Sequence, residues 1–334
     1  MTAAGHAWLA HTLPAVLRDA GLNAQARAER ILRQHGAAGL FAEISAIRSG
    51  YVKRLYCEVL LDRGPLDSAT ICRAVRQPGR EIMSDYERTT LLLKVSSGHL
   101  PDEASRLAYV EASATTRSAY EKRRALSALL AAGGLTPPVW RAVLETARAI
   151  GSDYDKAELV LQAARAQVPA TAVVDALVSV VDSMRSDYER HRALSALTRG
   201  GGLDAPTIDR VLEAAAHTKS DYELAGLLIE TVDRVPDTAA RPAFLTVVGM
   251  IRSDSERGRV LKAVCHAGKP SPTALEGVVQ ASLAMTSDYE RAGVLVAVAA
   301  RGPLDDRLRA AYRDAVLRIH SDYYQNQALA ALSR

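Results

Sequence analysis

Seven basic side chains recur at related offsets along the chain: Arg54, Arg123, Arg124, His191, Arg192, Arg259 and Lys262. Such groups on one stripe could hold an anionic ligand, either the carboxylates of a peptide or the phosphates of a nucleic acid. Little else offers competing chemistry. The eight histidines show neither an HExxH pair nor Cys/His pairs at zinc-ligand spacing, so no metal is expected. Cys57, Cys72 and Cys265 are odd in number and scattered. They give no disulfide framework and suit a reducing interior, most simply the cytoplasm. There is no GxSxG, no Walker-type loop and no GxGxxG after a strand, and no pair of carboxylates stands out. Gly133-Gly134 and Gly200-Gly201-Gly202 are accounted for as hairpin turns. The expectation is a chain that is not an enzyme and needs no cofactor.

The elements that must carry those side chains come from a repeat. The string SDYE, or a near copy, begins at Ser49, Ser84, Ser118, Ser152, Ser186, Ser220, Ser253, Ser287 and Ser321, at intervals of 33 to 35 residues. Each copy predicts a helix start. Ser caps the free backbone N–H groups, and the Glu three residues later is expected to reach back to the Ser N–H as a capping box. The intervening Asp places negative charge at the positive end of the helix dipole, a role favoured over cation binding because single carboxylates cannot complete a calcium shell. Apolar residues fall five and six positions after the motif Tyr, as at Leu91/Leu92, Leu159/Val160 and Leu227/Leu228. Thr136-Pro137 and Ser271-Pro272 open the second helix of their units. The predicted fold is all-α, a right-handed α-solenoid of tandem two-helix repeats of about 34 residues. Residues 1–48 are expected to form an N-terminal cap and shortened first hairpin (helices near 3–20, 24–35 and 38–48). Eight repeats follow over 49–320, and 321–334 supply a single C-terminal helix. That last helix is either a natural cap, softened by Gln325, Asn326 and Gln327, or the point where a longer chain was cut.

Composition agrees with such an array. The 334 residues carry 42 Lys and Arg against 38 Asp and Glu, a net charge of +4 that is weak for a nucleic-acid binder of this length. No apolar run is long enough to span a membrane, and no charged signal-peptide start is present. Of 12 tyrosines, eight occupy the motif slot: Tyr51, Tyr86, Tyr120, Tyr154, Tyr188, Tyr222, Tyr289 and Tyr323. They are expected to pack across the corner between units rather than to form a binding stripe.

The tandem two-helix units resemble HEAT-type and tetratricopeptide-type solenoids, although the tetratricopeptide signature itself is absent. More specifically, SDYE strings followed by segments such as RRALSAL and LLL resemble helical repeat regions of uncharacterised bacterial proteins over residues 20–334. That resemblance implies architecture and an interaction role, and it brings no catalytic residues.

A second period runs inside the first. Three and seven positions after the motif Tyr stand Arg54/Glu58, Thr89/Leu93, Arg123/Ser127, Ala157/Leu161, His191/Ser195, Ala225/Ile229, Gly258/Lys262, Ala292/Val296 and Asn326/Ala330. Odd units are polar or small there; even units end in a branched apolar residue. Further basic residues, such as Lys122, Arg190 and Arg257, accompany the odd units. Two readings stay open: alternating hairpin types packed large against small, or polar patches about 20 Å apart on a ligand-facing surface. The expected function is a non-catalytic scaffold binding a protein or peptide along one face of the superhelix. The alternative is a solenoid that binds nucleic-acid phosphates through the basic residues of alternate repeats. It requires those side chains to be exposed rather than paired with neighbouring Glu. A self-assembling role is a third reading.

Overall fold

The computed structural model describes residues 2–166, 171–199 and 205–333. Among these, every regular element is helical. The contacts divide the chain into two compact units, Met1–Gln162 and Ala163–Arg334. The first holds α1 (Ala3–Asp19), α2 (Ala24–Ala46), α3 (Gly50–Leu61), α4 (Ser68–Glu81), α5 (Asp85–Ser96), α6 (Glu103–Ala114), α7 (Ala119–Ala132) and α8 (Pro137–Arg148). Helix α9 (Asp153–Arg165) spans the division. The second holds α10 (Thr171–Asp182), α11 (Asp187–Arg199), α12 (Ala205–Ala215), α13 (Asp221–Arg234), α14 (Pro242–Met250), α15 (Asp254–His266), α16 (Pro272–Ser282), α17 (Asp288–Ala299), α18 (Asp306–Val316) and α19 (Asp322–Leu332). A short 3-10 turn, Pro236–Ala240, precedes α14.

Each repeat gives one helix to each of two layers. In the first unit α3, α5 and α7 pack side by side in sequence, as do α4, α6 and α8. The second unit repeats the arrangement, with α11, α13, α15, α17 and α19 in one layer and α10, α12, α14, α16 and α18 in the other. This is the α-solenoid that the period predicts, and its core lies between the layers. Leu91, Leu92, Leu159, Val160, Leu227 and Leu228 are all buried there, each contributing about 1.5–3 kcal/mol of transfer free energy. Leu329 on α19 is the exception and is exposed. Near the N-terminus α2 breaks at Gly36, whose φ of 63° is left-handed, so the expected helices over 24–35 and 38–48 are two arms of one kinked element. Gly133 and Gly134 (φ 70° and 64°) make the turn after α7, whereas Gly200-Gly201-Gly202 lies outside the described residues.

The helix starts differ from expectation in part. Ser84, Ser118, Ser220, Ser253 and Ser287 each accept the backbone N–H three residues on, whereas the Ser321 side chain makes no such cap. The reciprocal Glu contact is not made, and at Ser118, Ser220, Ser253 and Ser287 the Ser N–H is already taken. Asp85 Oδ2 accepts the backbone N–H groups of Arg117 (3.0 Å) and Ser118 (2.7 Å) in the next repeat. Asp187 does the same for Lys219 and Ser220, Asp221 for Arg252 and Ser253, Asp254 for Thr286 and Ser287, and Asp288 for His320 and Ser321. The Asp ladder therefore caps the following repeat as well as complementing its own helix dipole.

A buried arginine completes four of these corners. Arg88 pairs with Asp85 (2.8 Å) and donates to the carbonyl of Ile82, which ends the preceding helix. Arg190 pairs with Asp187 (2.9 Å) and donates to Met184 O (2.5 Å) and His217 O (3.0 Å). Arg257 and Arg291 make the equivalent contacts, to Ile251 and Ala284 and to Met285 and Arg318. All four are 5–7% exposed. Each thus joins a helix end, a carboxylate and, for the last three, the next repeat.

Candidate functional site

The motif tyrosines stand out from this framework. Tyr51, Tyr86, Tyr120 and Tyr154 are 51–58% exposed, and Tyr188, Tyr222, Tyr289 and Tyr323 are 58–72% exposed. They are therefore not packed away in the corner, although Tyr289 meets Tyr324 of the next repeat edge-on, with ring centres 5.8 Å apart. The reason for the exposure is local. A helical Cα–Cβ bond tilts towards the N-terminus, and a first-turn residue has no preceding turn to lie on. The tyrosines that do pack occupy other positions. Tyr56, Tyr109 and Tyr312 are fully buried, and the hydroxyls of Tyr109 and Tyr312 donate to Ala125 O (2.9 Å) and Ala328 O (2.8 Å) in the adjacent helix. Burial pushes both phenols well above their ordinary range.

The structure brings five of the seven predicted basic residues to these rings. Arg54 lies 5.2 Å from the Tyr51 ring centre, Arg123 and Arg124 lie 5.3 and 5.6 Å from that of Tyr120, and Arg192 lies 5.8 Å from that of Tyr188. Arg259 occupies the offset of Arg124 and Arg192, but its own repeat has Ser255 in the tyrosine slot. It turns back to Tyr222 of the preceding repeat, at 5.5 Å. These distances are within cation–π range.

The same cations are also paired with carboxylates. Arg54 contacts Glu87 (2.6 Å) and Glu58 (2.5 Å), and Arg123 contacts Asp155 (2.6 Å). Arg124 pairs with Glu121 (2.9 Å), Arg192 with Glu189 (2.6 Å), and Arg259 with Glu256. This accounts for the motif Glu, which is drawn sideways to a basic side chain instead of back to its own Ser. The hydrogen bonds that Arg54 donates to Glu87 and Glu58, with the charges of those carboxylates, outweigh the effect of burial, leaving its guanidinium even harder to deprotonate than usual.

His191 and Lys262 stand apart from the rings. His191 Nδ1 is 2.6 Å from Glu223 and Nε2 is 3.5 Å from Glu230, linking α11 to α13. Ser195 donates to Glu230, which also receives Arg199 (3.0 Å) and Arg234 (3.3 Å). Lys262 contacts Glu290 at 2.9 Å, linking α15 to α17. The alternation of odd and even units thus has a packing basis, since Arg54–Glu87, Arg123–Asp155, His191–Glu223 and Lys262–Glu290 all join an odd unit to the even unit after it. Lys122, Arg190 and Arg257, which looked like further members of the odd-unit patches, are buried corner cations. Arg88 and Arg291 at the same offset in even units were the available signal, because a position that is basic in both unit types cannot belong to an alternating patch.

Other features contribute less. A groove of about 860 Å³ between α2 and α4 is lined by Ser45, Arg73, Arg76 and Glu81, with Arg73 over Phe41 (4.4 Å) and Arg76 paired to Glu111 (2.6 Å). The cysteines are buried, and burial raises the Cys265 thiol to about 12, which leaves it unreactive. Among the described residues no three His, Cys, Asp or Glu side chains gather as they would around a metal ion, and no helix is long and apolar enough to cross a membrane. No protein family, curated protein or solved structure matches this chain.

Proposed function

We propose that this chain is a non-catalytic scaffold that binds a segment of another protein along the edge marked by the motif tyrosines. The observation that carries the reading is their exposure. An aromatic stands in this slot in eight of nine copies, and each ring is at least half exposed to solvent, which the core between the layers does not require. Half-exposed tyrosines offer apolar area and a hydrogen-bonding tip at low entropic cost, which is why they are enriched at protein interfaces. The arginines lying over the rings limit their motion and so lower the cost of ordering them on binding.

Phosphate binding is less well supported. Arg54, Arg123, Arg124, Arg192, Arg259 and Lys262 each have a carboxylate partner, so a polyanion would have to displace those carboxylates. The test is crosslinking capture with the full chain and with a variant carrying Tyr86→Ala and Tyr120→Ala. Capture of a discrete protein that depends on these tyrosines is expected. Tyrosine-dependent recovery of nucleic acid, with no protein, would overturn the reading.

A further inference from the structure

The hydrogen-bonding state of the tyrosine edge narrows the chemistry of its ligand. In the first unit the acceptors beside the rings are occupied. Asp85 holds two backbone N–H groups and Arg88, Glu87 holds Arg54, Glu121 holds Arg124, and Asp155 holds Arg123. Donors remain. The hydroxyls of Tyr51, Tyr86 and Tyr120 have no protein acceptor in the structure. A fitting ligand is therefore rich in acceptors, poor in donors and flat enough to lie on aromatic rings.

Spacing narrows it further. Helices α3, α5 and α7 pack directly against one another, and packed helices lie about 8–10 Å apart. One motif tyrosine per helix repeats at that distance. An extended β-strand presents one face about every 6.8 Å, out of step with such a ladder. A polyproline II helix advances about 3.1 Å per residue with three residues per turn, so it presents the same face about every 9.3 Å. A partner helix would need a continuous apolar groove, whereas here ion pairs such as Arg54–Glu87 lie between the rungs.

We propose that Tyr51, Tyr86 and Tyr120 form a binding edge for a proline-rich segment in the polyproline II conformation, with a proline ring on successive tyrosines and their free hydroxyls donating to its carbonyls. The proposal rests on the protein-binding reading above. Proline supplies what the edge lacks, because it has no N–H to satisfy and its flanking carbonyls are unpaired in this conformation. The first unit is the place for it, because its ladder is unbroken, whereas Ser255 interrupts the ladder of the second.

The test uses the full chain and a fluorescein-labelled peptide of about twelve residues with Pro at every third position and Ala and Ser between. A control peptide of the same composition has its prolines grouped at one end, and an oligouridylate of similar length serves as the polyanion. Fluorescence anisotropy is expected to show the in-phase peptide binding at least about tenfold tighter than the grouped one. Tyr86→Ala and Tyr120→Ala should each weaken it about five- to tenfold, and Tyr86→Phe by less. Equal binding of the two peptides, no binding of the in-phase peptide up to about 1 mM, or binding of the oligouridylate in its place would overturn the proposal. If the peptide fails while tyrosine-dependent capture of a protein persists, the scaffold reading survives and only its polyproline ligand is lost.

Discussion

The carboxylate of Asp85 accepts the backbone N–H of Ser118, 33 residues further along the chain, at 2.7 Å. The side chain that helps to start one helix therefore also finishes the cap of the next. Asp85→Ala should destabilise the protein by about 3 kcal/mol, since it frees two backbone donors and leaves buried Arg88 without its carboxylate. Asp85→Asn, which keeps an acceptor oxygen, should cost about half as much. Chemical denaturation monitored by circular dichroism measures both, and an Asp85→Ala midpoint no lower than that of a surface substitution would refute the role.

Two glycines should respond in opposite directions to alanine. A Cβ at Gly79 would sit 2.8 Å from the Ala112 side chain and 3.2 Å from its Cα, so α4 and α6 would have to separate. Gly79→Ala should lower stability by about 1–3 kcal/mol. At Gly293, inside α17, the nearest atom is the end of Lys262, 3.8 Å away. Gly293→Ala should raise stability by about 0.5–1 kcal/mol through helix propensity. Melting temperatures of the pair decide it.

The cluster around Glu230 should make part of the stability acid-sensitive. Burial pushes this carboxyl up, but hydrogen bonds from Ser195, Arg199 and Arg234 and the charge of His191 outweigh it and bring it from 4.5 down to about 2. The folded chain thus holds the carboxylate more strongly than the unfolded chain does. The contribution is complete above about pH 4.5 and is lost as the pH falls towards 2, because unfolding takes up a proton in that window. The melting-temperature gap between wild type and Glu230→Gln should be widest at neutral pH and close through this range. A gap that does not vary with pH would contradict the linkage.

Ladder and core tyrosines should separate in a stability assay. Tyr86→Ala should lie within about 0.5 kcal/mol of wild type, as expected for a side chain that is 58% exposed. Tyr109→Phe removes only a hydroxyl, yet that hydroxyl is buried and bonded to Ala125 O, so the change should cost about 1 kcal/mol. The reverse ranking would mean that the ladder is structural.

These residues also show what could be read before the structure. The helix starts, the hairpin order and the buried pairs such as Leu91/Leu92 follow from local rules of capping and periodicity, so they were legible. The destinations of Asp85, Glu87 and Arg88 were not, because each reaches partners across a corner or in a neighbouring repeat. A repeat fixes that such contacts recur without saying what they touch. The tyrosines illustrate the same gap. Recurrence at one slot was plain, but the direction of the ring depends on its place in the first turn, where nothing covers it. For the predicted basic residues, the spacing located Arg54 and Arg123 on one stripe but not the carboxylates Glu87 and Asp155 one repeat ahead that pair with them.

The corner clamp has a direction. Asp187, Asp221, Asp254 and Asp288 each cap the repeat that follows, and none caps the one before. A repeat that loses its downstream neighbour keeps its own capped start. One that loses its upstream neighbour exposes backbone donors at the head of its first helix. Fraying is therefore unequal at the two sides of a break. Synthesis runs the same way, from N- to C-terminus, so the first helices that begin at Ser118, Ser220, Ser253, Ser287 and Ser321 leave the ribosome after the carboxylate that caps them. At those corners the direction of capping matches the direction of synthesis.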